Sequence, residues 1–199
     1  MSSKTVIFTA LGLALITALP ASSSELSYTS LSIGYQTQSD DELGFNLDSD
    51  GVRFDGSLAL SDGVFLRADY FSLRSDTVQT GRSSYVVDSS RSSIGLGYHF
   101  PVALNTDLIG TLSYGSKKKD FLNTSKDDEG YIVSAGIRSK LADIIELDAE
   151  LSYVDIGGKE DVGYGVTGRV FIMPDASIGL SFDKLDNSDK FTVDLRYDF

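Results

Sequence analysis

The 199-residue sequence contains no cysteine. This removes disulfide frameworks, Cys-ligated metal centres and thiol nucleophiles together, while leaving the compartment open. Histidine occurs once, as His99, and tryptophan not at all. Basic residues are outnumbered, with 17 Lys and Arg against 29 Asp and Glu and a formal net charge of −12. Nucleic acid is therefore not an expected partner, because phosphate binding depends on clustered Lys and Arg. After the first two dozen residues no stretch is apolar enough for a membrane helix, and the period-3.6 pattern of amphipathic helices is almost missing.

What is present begins with an N-terminal leader. Lys4 precedes the apolar run "VIFTALGLALITALP", and "ASSS" follows, with Ala21 and Ser23 spaced for cleavage. The run is roughly 14 residues, short of the roughly 20 a spanning helix needs, so residues 1–23 read as a secretory signal peptide. The remainder, 24–199, reads as one domain. With 41% apolar residues the chain has enough to bury or shield a sizeable surface.

That domain alternates apolar and polar residues with period 2, the pattern of strands with two unlike faces. Ten segments show it: 26–37, 51–60, 64–73, 91–100, 107–115, 130–139, 145–155, 162–172, 177–184 and 190–199. In the seventh, Ile145, Leu147, Ala149, Leu151 and Tyr153 oppose Glu146, Asp148, Glu150 and Ser152. The last, "FTVDLRYDF" at 191–199, keeps strict alternation to its final residue. Connections alternate between tight turns (61–63, 101–106, 140–144, 173–176) and polar ones, long at 38–50, 74–90 and 116–129 and shorter at 156–161 and 185–189. The expected fold is all-β, an antiparallel up-and-down β-barrel of ten strands, transmembrane, with long loops at one end. An eight-stranded version would require the second and third segments to be misread.

The polar face fixes which way the barrel is turned. It carries Arg53, Asp55, Arg67, Asp69, Arg91, Arg138, Glu146, Asp148, Glu150, Arg169, Asp183, Asp194 and Arg196, and almost no lysine. Lys117, Lys118, Lys119, Lys126, Lys140 and Lys159 all fall in expected connections. A solvent-facing wall would use lysine freely; small residues with Arg and carboxylates suit a narrow lumen of paired charges. An Arg turned to lipid at mid-membrane costs roughly 2–4 kcal/mol, and a one-residue slip inverts a whole strand, so register is strongly set. Aromatic residues including Tyr28, Tyr35, Tyr70, Tyr98, Tyr114, Tyr131 and Tyr164 lie near strand ends, as girdles require.

On these residues the sequence resembles the small Gram-negative outer-membrane β-barrels of the OmpA transmembrane-domain and OmpX type. The resemblance extends to the closing strand, where Phe191, Val193, Leu195, Tyr197 and Phe199 look like that family's assembly signal. It implies location in the outer membrane, both termini on the periplasmic side, recognition of the last strand by the barrel assembly machinery, and closure of that strand on the first.

Chemistry is sparse. His99 sits at the tight-turn end, away from the outer side where barrel enzymes of this membrane place a catalytic histidine, so a hydrogen bond at the lumen rim is the expected role. Asp40, Asp41, Glu42, Asp48 and Asp50, with Asp127, Asp128 and Glu129, offer hard oxygen ligands but no EF-hand spacing. No metal, cofactor or catalytic set is expected. The expected partners are outer-membrane lipid and lipopolysaccharide, with Lys117 to Lys119 near its phosphates, and the expected state is a monomer. The sequence favours a non-enzymatic barrel with a structural or cell-surface interaction role; a narrow porin-like channel is the alternative, since ten strands enclose more space than eight.

Overall fold

The computed structural model describes residues 26–42, 45–75, 78–80, 83–121, 124–186 and 188–199. The expected signal peptide lies outside these residues. Among the described residues twelve strands form: β1 (Ser30–Glu42), β2 (Phe45–Ala59), β3 (Val64–Ser75), β4 (Val78–Thr80), β5 (Ser83–Tyr85), β6 (Val87–Ala103), β7 (Thr106–Phe121), β8 (Thr124–Ala142), β9 (Ile145–Ile156), β10 (Lys159–Met173), β11 (Ala176–Leu185) and β12 (Ser188–Asp198). Ten of them close into an antiparallel barrel, and β4 and β5 pair only with each other. The second and third sequence segments are therefore real barrel strands.

Closure joins β12 to β1, in register from Ser30 opposite Asp198 to Asp40 opposite Ser188. Beyond the last pair, the Phe199 amide donates to the Thr29 carbonyl at 3.0 Å. A closed ladder leaves no sheet edge, which hydrocarbon would otherwise penalise by several kcal/mol per unpaired group. Outward-facing positions are apolar and exposed all round the barrel, among them Leu31, Ile33, Leu96, Leu112, Leu151, Val166 and Leu180. On β12, Phe191, Val193, Leu195, Tyr197 and Phe199 face out, while Thr192, Asp194, Arg196 and Asp198 are buried.

One expectation is corrected at the hairpin end. The three long connections are mostly not loops, because the strand ladders run on through them: β1 pairs with β2 up to Glu42 opposite Phe45, and β7 with β8 up to Phe121 opposite Thr124. Polar residues on both faces had hidden these extensions, since alternation marks a strand only while one face is apolar. Lys117, Lys118, Lys119, Lys126, Lys140 and Lys159 consequently lie on strands, not in connections. The other two hairpins are short: β9 and β10 turn through Gly157 and Gly158, whose φ values of 67° and 76° favour glycine. The wall strands are longest over β6–β8, at 16 to 19 residues, and shortest at β11 and β12, at 10 and 11 residues.

Candidate functional site

The chemistry-bearing side chains line the lumen, which divides into two halves. At the end holding the termini and tight turns, the chain entering β1 folds inward. Leu26, Tyr28 and Phe65 form a small buried cluster there. The Tyr28 ring stacks on His99 with centroids 3.9 Å apart and planes 11° apart, and lies 5.0 Å from Phe65. Its hydroxyl donates to Asp107 Oδ2 at 2.8 Å, and His99 Nδ1 meets the same oxygen at 3.0 Å. Tyr28 is therefore a plug residue and not a girdle tyrosine, a correction to its placement by sequence. The reason is local: Tyr28 precedes the first ladder pair, so strand alternation does not govern its side chain.

Above the plug lies an ion-pair network centred on Glu146. Glu146 is paired with Arg138 at 3.0 Å and Arg196 at 2.8 Å, with Arg169 at 3.9 Å. Arg196 also pairs with Asp198 at 2.8 Å, and Arg169 with Asp194 at 2.6 Å. Arg138 reaches down as well, donating to the Ser27 carbonyl at 2.8 Å and lying 5.2 Å from the Tyr28 ring centre. A second group links Arg53 to Asp55 at 2.8 Å and to Asp183 at 3.7 Å, and a third joins Arg67 to Glu150 across the lumen at 2.9 Å. A cavity of about 170 Å³ remains among these groups, lined by Arg53, Arg67, Asp148, Arg169 and Asp194.

Not every lumen charge named from the sequence joins an ion pair. Asp69 accepts the Ser93 hydroxyl instead, Asp148 faces the cavity, and Arg91 lies 5.1 Å over the Phe71 ring. Sequence reasoning missed Tyr28, Phe65 and Asp107 as a cluster across the lumen and Lys190 as a lumen residue, and left Gln36 and Asp198 on the polar face without a role. For Asp198 and Lys190 the signal existed: both continue the inward alternation of Asp194 and Arg196 along β12. In the hairpin half, two further cavities of about 100 Å³ each share Phe71, Arg91, Val154, Leu185 and Lys190 in their walls.

The acidic residues of the hairpins are engaged singly. Asp40 accepts from Gln38, Asp48 from Ser39, Asp50 from the Tyr35 hydroxyl, Asp127 from Ser116 and Glu129 from the Tyr114 hydroxyl. Asp128 pairs with Lys126 at 2.7 Å. The side chains of Asp41 and Glu42 lie outside the described residues. Among the described residues no group of three or more His, Asp or Glu could hold a metal ion. Near the tip of the β7–β8 hairpin, the Ser125 hydroxyl and Lys118 hold the Asp120 carboxyl below the usual aspartate range.

A closed antiparallel barrel with an apolar exterior and a charged lumen defines an integral membrane barrel of the outer-membrane class. The chain belongs to the family described as the outer membrane protein beta-barrel domain, which matches residues 7–199. It is therefore an outer-membrane β-barrel protein. Among solved structures it is similar to the NanC porin, with 8% identity over 85% of this chain and 100% of that one and a TM-score of 0.55. It is also similar to the translocator domain of the autotransporter NalP from Neisseria meningitidis, with 13% identity over 89% and 91% of the two chains and a TM-score of 0.51. These likenesses show the fold. No curated protein matches the sequence.

Proposed function

We propose that this protein is a non-enzymatic, non-conducting outer-membrane barrel that displays its hairpins as a surface for interaction with lipopolysaccharide and other cell-surface partners. The observation that carries this reading is the plug. Tyr28, His99, Phe65 and Arg138 cross the lumen at the terminal end, directly beneath the Glu146 network. Ions passing that layer would have to unstack Tyr28 and break charge pairs shielded from water, and both steps oppose steady flow. The ring of His99 is committed to Tyr28 and Asp107 within this plug, which disfavours a catalytic role.

In this reading the termini face the periplasm and the β1–β2, β3–β6 and β7–β8 hairpins face outward. Lys118 and Lys126, exposed on β7 and β8, supply cations for lipopolysaccharide phosphates. The outward face of β12, with Phe191, Val193, Leu195, Tyr197 and Phe199, is the surface offered to the barrel assembly machinery, and the finished barrel is a monomer. The competing reading, a narrow channel for small solutes, has the three lumen cavities in its favour.

Planar-bilayer recording separates the two. The intact protein is expected to show no steady conductance, and Tyr28→Ala combined with Arg138→Ala to open measurable current. Steady conductance of the intact protein, altered by substituting Arg138 or Glu150, overturns the plugged barrel in favour of the channel.

A further inference from the structure

In the hairpin half of the lumen, Gln36 lies on β1, opposite Thr192 of β12 and Gly51 of β2. It is fully buried at 0% exposure, and neither its amide nitrogen nor its amide oxygen has a hydrogen-bond partner among the described residues. An orphaned buried amide is costly, so its place in a closely built wall calls for a physical reason. Gln36 is among the residues around one of the two 100 Å³ cavities, and Arg91 and Lys190 line the same cavity.

Those two cations share one aromatic ring. The Arg91 guanidinium is 5.1 Å from the Phe71 centroid and the Lys190 ammonium 5.5 Å from it. Neither makes an ion pair among the described residues, and Arg91 Nε has no hydrogen-bond acceptor. Three carboxylates line this cavity as well: Asp183, directly across the ladder from Lys190, lies 3.7 Å from Arg53, Glu150 pairs with Arg67, and Asp69 accepts from Ser93 and is also attracted by Arg91 without an ion pair. Asp161 and Asp186 are both bridged by Lys159. A cation over a ring gains less than an anion between two buried cations provides.

We infer that Arg91, Lys190 and the Gln36 amide form a binding site for a small oxyanion, a carboxylate, sulfate or phosphate group, entered from the hairpin end of the lumen. The guanidinium and ammonium supply charge and donors, and the Gln36 NH₂ supplies an uncharged donor. The two adjoining cavities, about 100 Å³ each, are roomy for such a group with its water, whose liquid volume is about 30 Å³ per molecule. The group arrives as a free inorganic ion or as the acid of a sugar, since the chemistry recognised is the same. The site stands apart from the plug, so a conducting lumen would not remove it.

The test uses the full-length barrel refolded in detergent, titrated with phosphate and, separately, with glucuronate, against chloride at matched ionic strength. Calorimetric binding and a raised thermal-unfolding midpoint in phosphate, absent in chloride, are expected. Saturation by phosphate but not glucuronate assigns the free ion; tighter binding of glucuronate assigns a sugar acid. Arg91→Gln with Lys190→Gln should weaken binding at least tenfold and Gln36→Leu several-fold, while Lys140→Ala, at the tight-turn end of β8, leaves it unchanged. Indistinguishable responses to phosphate, glucuronate and chloride in the native protein overturn the site without recourse to any variant, as does unaltered phosphate binding in the folded double variant.

Discussion

The terminal half of the lumen and the hairpin half are built from the same side-chain types, yet they resolve their charges differently. Around Glu146, each arginine finds a carboxylate and the carboxylates are shared: Arg138, Arg169 and Arg196 converge on one Glu, with Asp194 and Asp198 completing the network. Around Phe71, Arg91 and Lys190 face one ring with no paired anion, and Gln36 keeps its amide unbonded. The first arrangement pairs its arginines internally, although Asp148 beside them joins no ion pair among the described residues. The second is complementary to something negatively charged, so charge count alone does not distinguish scaffold from site; pairing does.

The largest effect follows from breaking the paired half. Glu146 is 3% exposed. Glu146→Ala leaves three arginines near each other with their central carboxylate gone, a loss expected to cost about 3–5 kcal/mol. Urea unfolding in lipid vesicles, followed by the gel-mobility shift of folded barrels, measures it. Arg91→Gln, which removes a cation held over a ring and attracted to Asp69 without an ion pair, should lower the midpoint far less. Equal destabilisation by both substitutions would erase the contrast between the halves.

A smaller effect is expected from overfilling the plug. Gly97 on β6 faces Phe65, and a Cβ built there would stand 2.2 Å from the Phe65 ring. Gly97→Val should push Phe65 against Tyr28 and cost about 1–3 kcal/mol, the usual range for overpacking. Gly56, where a Cβ meets nothing nearer than 3.8 Å, is the matched control, and its Ala variant should unfold at the native midpoint. A tolerant Gly97 would mean that the plug is loose, which also weakens the sealed-lumen reading.

Much of this was legible in the sequence wherever one rule governed a residue. The ten barrel strands, the outward face of β12 and the inward direction of the arginines all follow from period 2 between lipid and lumen. Legibility failed where that constraint lapses. The hairpin extensions of β7 and β8 are polar on both faces, so Lys117 and Lys126 read as loop residues. Tyr28 lies before the ladder begins, so its aromatic ring read as girdle when it is plug. The pairing of Arg67 with Glu150 was not readable at all, because 83 residues separate partners that only closure brings together. Alternation put Gln36 on the inward face, but gave no signal that its amide would lack partners.

Gln36→Met gives the smallest expected shift and the sharpest reading of the two halves. A buried amide that already lacks partners loses no hydrogen bond when replaced by an apolar side chain of similar volume, and the penalty for its burial disappears. In chloride the variant should therefore unfold within about 1 kcal/mol of the native barrel, on the stabilised side. In phosphate the order should reverse, because the native protein gains from the oxyanion and the variant gains less. The same side chain would then be a structural cost in one buffer and a ligand in the other. Destabilisation by several kcal/mol in chloride would instead show that Gln36 holds a structural partner, and the hairpin half would then be as self-satisfied as the half below it.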